Sequence, residues 1–228
     1  MLIQVEDVRR NFTRDHLTTE VLKGISFQVK AGEFVSVMGP SGSGKSTLLQ
    51  ILGGLDRATQ GDVKIAGASL ASMDDNSLSL FRRRRLGFIF QFFNLMPTLS
   101  AVENVALPLL LDGAPFTKVR PQAMALLEKL GVSHRAENRP HQLSGGEMQR
   151  VAICRALVTN PPLILADEPT GNLDTKTGTQ VLEILRGIVR EQGQTLMMVT
   201  HDPKAAQYGS RLLRIRDGQI EADEAIKA

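Results

Sequence analysis

The chain holds one cysteine, no tryptophan and one tyrosine among its 228 residues. A single thiol cannot close an intrachain disulfide, which fits a reducing compartment. Cys154 lies in an apolar helical run and reads as a small core residue rather than a reactive thiol. Aromatic residues make up only 4%, and none interleaves with the one basic run, residues 82–85. The stacking platforms of a nucleic-acid surface are therefore missing, and no nucleic-acid partner is expected. That run reads as a solvated helix end, with an acidic partner or lipid headgroups as the alternative. Long apolar runs are lacking too. The longest, residues 105–111, contains Pro108 and falls far short of the roughly 20 residues that span a bilayer. No N-terminal stretch resembles a signal peptide, and no repeat or low-complexity segment is found. A cytosolic chain follows, with any membrane role exerted through a partner.

What is present suits one substantial domain or two lobes sharing an interface. The chain is 42% hydrophobic and 22% charged, with a net charge of +3. Residues 2–8, 24–29 and 62–66 alternate like half-buried strands, around a continuously apolar strand at 34–38. A helix begins at 46–52, and another apolar strand at 86–90 ends on Gln91. Residues 92–160 change character. Val119, Ala123, Leu126, Leu127 and Leu130 recur at helical spacing and Gly131 stops that helix. Pro97, Pro108, Pro115, Pro121 and Pro140 suggest short helices joined by kinks. This segment reads as a mainly helical lobe. The α/β pattern resumes with a buried strand at 163–166, a helix marked by Val181, Leu182, Leu185, Ile188 and Val189, and a strand at 195–200. A hairpin across Asp217-Gly218 follows.

Four buried strands end on polar residues: Gly39 and its loop, Gln91, Asp167 with Glu168, and His201. Ligands of a parallel sheet bind beyond its carboxyl ends, so these residues are expected to meet. The loop Gly39-Pro40-Ser41-Gly42-Ser43-Gly44-Lys45-Ser46, with Thr47 behind it, matches G-x-x-x-x-G-K-[ST] between a strand and a helix. Its glycines let backbone N–H groups close on phosphate oxygens. Lys45 would bridge the β- and γ-phosphates, and the Ser46 hydroxyl would sit on Mg²⁺. Asp167 is placed to hold Mg²⁺ through water and Glu168 to orient or deprotonate an attacking water. Alone, the two would pass for a surface acidic pair. Gln91 could coordinate Mg²⁺ or position water, and His201 could reach the γ-phosphate, although a strand-end Gln or His is often structural. His16, His134 and His141 lack that context and read as surface residues. Ser144 and Glu147 form a capping box. Gly145 and Gly146 between them add bare N–H groups that a simple cap does not need.

Taken in order, GPSGSGKS, Gln91, LSGGE, LILADE, GNLD and His201 resemble the ATP-binding-cassette ATPases over essentially the whole chain. That resemblance implies a P-loop α/β core with an antiparallel β subdomain (residues 1–91 and 161–228) and an inserted helical subdomain (92–160). It also implies a head-to-tail dimer with a second copy, two ATP molecules lying between one chain's phosphate loop and the other's LSGGE. Ser144, Gly145, Gly146 and Glu147 would then contact the partner's γ-phosphate, and Asp174 would link the two sites. Phe12 falls where the family stacks an aromatic, more often Tyr, on adenine. Glu147 replaces the commoner Gln, and Met148 follows it, without loss of a backbone donor. LGGLD, residues 87–109, HRAENRPHQLSGGE and ADEPTGNLD look like the lipoprotein-releasing (LolD) and macrolide-export (MacB) subfamily, with FtsE-like cell-division ATPases as relatives. Such a subunit works at the cytoplasmic face of the bacterial inner membrane, beneath integral-membrane transporter subunits. Phe92, Phe93, Leu95 and Met96 are candidate receivers of the membrane partner's helix, a core role being open for two of them. DNA-repair cassettes carry coiled-coil or zinc-binding insertions, and neither is found here. Translation-associated cassettes usually fuse two ATPase halves, and this chain has one. The short stretch after the hairpin leaves no room for an importer's regulatory domain, which favours export or extraction. An inactive binding module is disfavoured because every catalytic position is filled.

Overall fold

A computed structural model of the chain describes residues 1–14 and 17–226; His16 lies outside them. The strands and helices are β1 (Ile3–Arg14), β2 (Leu17–Val29), β3 (Phe34–Met38), α1 (Lys45–Leu52), β4 (Gln60–Ile65), β5 (Ala68–Ser69), α2 (Asp75–Arg85) and β6 (Leu86–Ile89). Then come α3 (Ala101–Leu111), α4 (Phe116–Lys129), α5 (Gly145–Leu157), β7 (Leu163–Asp167), α6 (Thr175–Gln192), β8 (Thr195–Val199), α7 (Pro203–Ala206), β9 (Arg211–Arg216) and β10 (Gln219–Ala225).

Two sheets carry the α/β part. An antiparallel sheet has the order β2-β1-β4-β5, and a six-stranded sheet has the order β10-β9-β3-β8-β7-β6. In the second sheet β9, β3, β8, β7 and β6 are parallel, and only β10 runs back. Its central strands are apolar throughout because both faces are covered: β8 is buried at every position, and β3 and β7 at all but their last. Register lines the strand ends up. Val37 pairs with Val199, Val199 with Asp167, and Ala166 with Ile89. The residues just beyond β3, β8, β7 and β6 therefore emerge along one edge. The order of those strands is what gathers Gly39, His201, Glu168 and Gln91.

The helical stretch packs through α3, α4 and α5 into a core that continues under β7, β8 and α6. The stripe on α6 is the expected one: Val181, Leu182, Leu185, Ile188 and Val189 are all buried. Each such side chain contributes about 1.5–3 kcal/mol on leaving water. Gly131, at φ 69°, ends the α4 segment. The prolines act less uniformly than their number suggests. Pro115 and Pro140 sit at helix starts, but Pro108 and Pro121 lie inside α3 and α4, which continue through them. Ordinary 11- and 14-residue helices result. Tertiary packing outweighs the lost backbone bonds there.

The arginine run also departs from expectation. It is the last turn of α2, where cations suit the negative helix end, but three of the four side chains are not merely solvated. Arg82 donates to the Gly54 carbonyl at 2.7 Å, and Arg83 donates to the Leu111 carbonyl at 2.6 Å. Arg84 meets Asp112 at 3.0 Å. The run fastens α2 to the end of α3.

Candidate functional site

The phosphate loop follows β3 and runs into the first turn of α1. Gly44 is the N-cap with φ 102°, and a Cβ there would lie 2.6 Å from Leu22 Cδ2. Only glycine satisfies both the left-handed backbone and the close approach of β2. Around Gly42 the opposite holds: a Cβ would meet nothing within 4 Å, so the middle of the loop faces open space. Lys45 is buried, and its Nζ donates to the Gly39 and Pro40 carbonyls at 2.8 Å each. The ammonium is thereby held over the loop. The turn at Asp217-Gly218, with φ 49° and 80°, docks on the loop as Gly218 N–H donates to Ser43 O at 3.2 Å. Ser41 and Ser46 are exposed and Thr47 half-buried.

Three further strand ends lie along the same sheet edge as this loop. The Ser46 hydroxyl donates to Asp167 Oδ1 at 3.4 Å. Burial and the adjoining Glu168 charge raise the Asp167 pKa, which a nearby cation would reverse. These are two hard oxygen donors, and no cluster of three His, Cys, Asp or Glu occurs among the described residues. That donor set suits Mg²⁺, which keeps most of its waters and takes one or two protein oxygens.

Glu168 stands in the left-handed region at φ 47°, a conformation that costs a non-glycine residue about 1–2 kcal/mol. Its surroundings fix it there. Its N–H donates to Val199 O at 2.9 Å, its carbonyl accepts from Gly171 N–H at 3.0 Å, and its carboxylate lies 2.6 Å from His201 Nδ1. Gln91 is half-buried against Gly171, and its carbonyl accepts from Asn172 Nδ2 at 2.9 Å.

Phe12 lies on β1 opposite Thr19, two residues before the Val21 carbonyl that approaches Gly44. Its ring is 43% exposed, with the Arg10 guanidinium 4.3 Å from the centroid. Arg10 is itself gripped by Asp56 through two 2.8 Å bonds. A cation over the ring leaves an exposed aromatic surface near the loop.

The LSGGE segment lies elsewhere. Ser144 caps α5 with both bonds of a capping box. Gly145, Gly146, Glu147, Asn172, Asp174 and Thr177 line an open groove of about 450 Å³ whose walls include no residue of the phosphate loop. Asp174, exposed, caps α6 by accepting from Thr177 N–H at 3.0 Å, and hydrogen bonding by the Thr177 side chain and then its N–H lowers the Asp174 pKa.

A family model described as "ABC transporter" matches residues 22–171, a span containing the phosphate loop, Gln91, the capped glycine pair and the strand-end acids. The chain belongs to the ABC transporter family. An uncharacterized ABC transporter ATP-binding protein of Thermotoga maritima is 49% identical, covering 98% of this chain and 95% of that protein. The lipoprotein-releasing ATP-binding protein LolD of Geobacter metallireducens is 46% identical, covering 97% and 99%. The macrolide export protein MacB of Syntrophobacter fumaroxidans is 46% identical over 97% of this chain, which spans only 31% of that longer protein. Among solved structures, the cassette MJ0796, described as a dimer in a post-hydrolysis state bound to ADP and Pi, superposes with a TM-score of 0.91. It is 42% identical over 99% of both chains. The protein is thus an ATP-binding, ATP-hydrolysing cassette of the LolD/MacB kind, with the P-loop α/β fold.

Within this ABC cassette several residues make contacts that the sequence alone does not show. Gln149, fully buried in α5, donates to the Pro169 carbonyl at 2.6 Å and so fixes the residue after Glu168. Gly146 has an internal reason to be glycine: a Cβ there would lie 2.5 Å from Thr177 Cγ2. The glycine pair therefore serves helix packing as well as exposure. Arg135, from the HRAENRP stretch, reaches Glu147 Oε1 at 2.9 Å, and the exposed His134 lies 3.6 Å from the same atom.

The Ser144 backbone N–H, then Arg135 and the Ser144 hydroxyl, hold Glu147 down to about 2, against the opposing effect of burial. A folded-state pKa below the unfolded one gives stability that is present above the unfolded value and lost as pH falls towards 2. Glu147→Gln keeps the capping box but not the charge. It should lower stability at neutral pH by up to about 1 kcal/mol. Denaturant titrations of the two proteins should converge between pH 4.5 and 2.

Proposed function

We propose that the chain is the ATP-hydrolysing subunit of a membrane transporter and works as a head-to-tail dimer of identical chains around two ATP molecules. The observation that carries this reading is the separation of two half-sites. One has the phosphate loop, Lys45 and the acids Asp167 and Glu168. The other is a groove with a capped glycine pair and no lysine in its walls. Helix starts attract anions, and the second half-site is complete only when another chain brings a nucleotide to it. Lys45 and the loop N–H groups hold the β- and γ-phosphates, while Ser46 and Asp167 would hold Mg²⁺, which would neutralise developing charge. Glu168 takes the proton of the attacking water, and His201 and Gln91 orient the γ-phosphate and that water. Phe12 carries the adenine.

The membrane partner is received beside Gln91. There Phe88, Phe90 and Leu107 line a groove of about 360 Å³, with Leu55 and Leu111 at its edges and Arg82 and Arg83 beside them. Leu55 and Leu111 on this groove are exposed at 52% and 61%, and Phe92, in the segment after Gln91, at 72%. Of the four receivers named from sequence, Leu95 packs on the core and Phe93 is half-buried, leaving Phe92 and Met96 outward. No helix among the described residues is long and apolar enough to cross a membrane. Attachment to the cytoplasmic face of the inner membrane then depends on the transmembrane subunits.

Lipoprotein release is the reading we favour. Macrolide or peptide export is the second, since the MacB relative is as similar as the LolD one. Copurification from detergent-solubilised membranes separates them by the transmembrane chain recovered. Leu111→Asp with Phe92→Asp should abolish that recovery while the isolated subunit still hydrolyses ATP. Recovery of DNA, or undiminished recovery by the double variant, contradicts the proposal.

A further inference from the structure

Arg155 is half-buried, and its guanidinium bonds to backbone carbonyls rather than to a carboxylate. Arg155, in the last turn of α5, donates through Nη1 to Asn94 O at 2.5 Å and through Nη2 to Phe93 O at 2.8 Å. Burial pulls its pKa down to about 10, so it stays charged at neutral pH. A desolvated guanidinium is costly unless its donors are used, and here two of them are spent on one turn.

That turn is itself unusual. Phe93 and Asn94 stand at φ 62° and 48°, consecutive non-glycine residues in the left-handed region. Asparagine tolerates this conformation, but phenylalanine does not adopt it without external constraint. The constraints come from several directions. Asn94 N–H donates to Phe92 O at 2.6 Å, Asn172 holds the Gln91 carbonyl, and the Phe93 ring lies beside Gly145, where a Cβ would be 3.8 Å from Cζ. Helix α5 thus touches this turn twice, near the glycine pair with which it begins and through Arg155 near its end. Arg155 and Asn94 also line the apolar groove beside Phe90 and Leu107.

We propose that Arg155 is a positioning residue for hydrolysis, holding the strained turn behind Gln91 to helix α5 so that Gln91 faces the γ-phosphate. The inference rests on the role given above to Gln91. The guanidinium is the link between three things: the groove where a partner would press, the helix that starts at Gly145, and the loop that carries Gln91. Lysine reproduces it only in part, because one ammonium replaces a planar fork that spans two carbonyls.

The test uses the full chain, with Arg155→Met and Arg155→Lys compared with the unaltered protein. Amide hydrogen exchange across residues 91–96 should speed up in Arg155→Met while β7 and α6 keep their protection. Its kcat should fall by about tenfold or more with the KM for ATP within about twofold, since misplacement costs rate rather than binding. Arg155→Lys should fall between the two in both readouts. Unchanged exchange at 91–96 overturns the proposal, as does faster exchange with unchanged kcat. If Arg155→Met does not fold, Arg155→Lys decides on the same two readouts. Gln91→Ala, run in parallel, tests the underlying reading separately: an unaltered kcat there removes Gln91 from the reaction while leaving the exchange result on Arg155 standing.

Discussion

Glu168→Gln should lower kcat for ATP hydrolysis by about a thousandfold, within the range that general-base catalysis supplies, and should leave nucleotide binding intact. The reason is local. Glutamine keeps the shape of the side chain and an oxygen that can accept from His201 Nδ1, now 2.6 Å from the carboxylate. The backbone contacts that pin the φ 47° residue, from Val199 and Gly171, do not involve the side chain. Lys45 and the loop are untouched. What is lost is a base able to take the proton of water. The variant should accumulate with ATP bound, as measured by nucleotide retained after rapid gel filtration, and single-turnover assays should show the block in the chemical step. Near-normal turnover would remove Glu168 from the role assigned to it.

Gly145→Asp should be comparably damaging to turnover while barely disturbing the fold. A Cβ at Gly145 would lie 3.3 Å from Leu173 Cδ2 and 3.8 Å from Phe93 Cζ, close but accommodated by small side-chain shifts. A carboxylate in the first turn also favours the helix, by about 0.3–1 kcal/mol. In the proposed dimer the damage is electrostatic, because the new charge would occupy the place that the other chain's γ-phosphate is to reach. A fall in kcat of about a hundredfold or more is expected, with ATP affinity of the isolated subunit unchanged by fluorescent-nucleotide titration. Gly146→Ala supplies the contrast. Its Cβ meets Thr177 Cγ2 at 2.5 Å, so it should cost about 1–3 kcal/mol of stability. Thr177→Ser, which removes that methyl group, should restore most of the loss.

How far the sequence could be read depended on the range of the interactions involved. The phosphate loop is a local pattern between a strand and a helix, and it was legible in full. The convergence of Gln91, Asp167, Glu168 and His201 followed from each ending an apolar strand, a rule that needs no knowledge of strand order. Capping boxes at Ser144 and the stop at Gly131 are local too. What stayed hidden is contact across long stretches of chain. Gln149 binding Pro169, Arg155 binding the Phe93-Asn94 turn and Gly218 docking on Ser43 join residues 20, 61 and more apart, and no spacing rule connects them. Arg82 and Arg83 looked like solvated charge because their acceptors are backbone carbonyls, which no sequence pattern marks. Gly146 was read only as an exposed donor because Thr177 packs on it from the next helix. Pro108 and Pro121 do not break α3 and α4, because neighbouring helices stabilise segments that propensity alone would interrupt.

Sedimentation of the Glu168→Gln protein tests most directly whether each ATP site is completed by two chains. With saturating ATP the variant should sediment as a dimer holding two nucleotides, and without ATP as a monomer. Adding Gly145→Asp to the same chain should return it to a monomer that still binds one ATP. A Glu168→Gln protein that stays monomeric with ATP, or a double variant that dimerises unimpaired, would contradict the shared site.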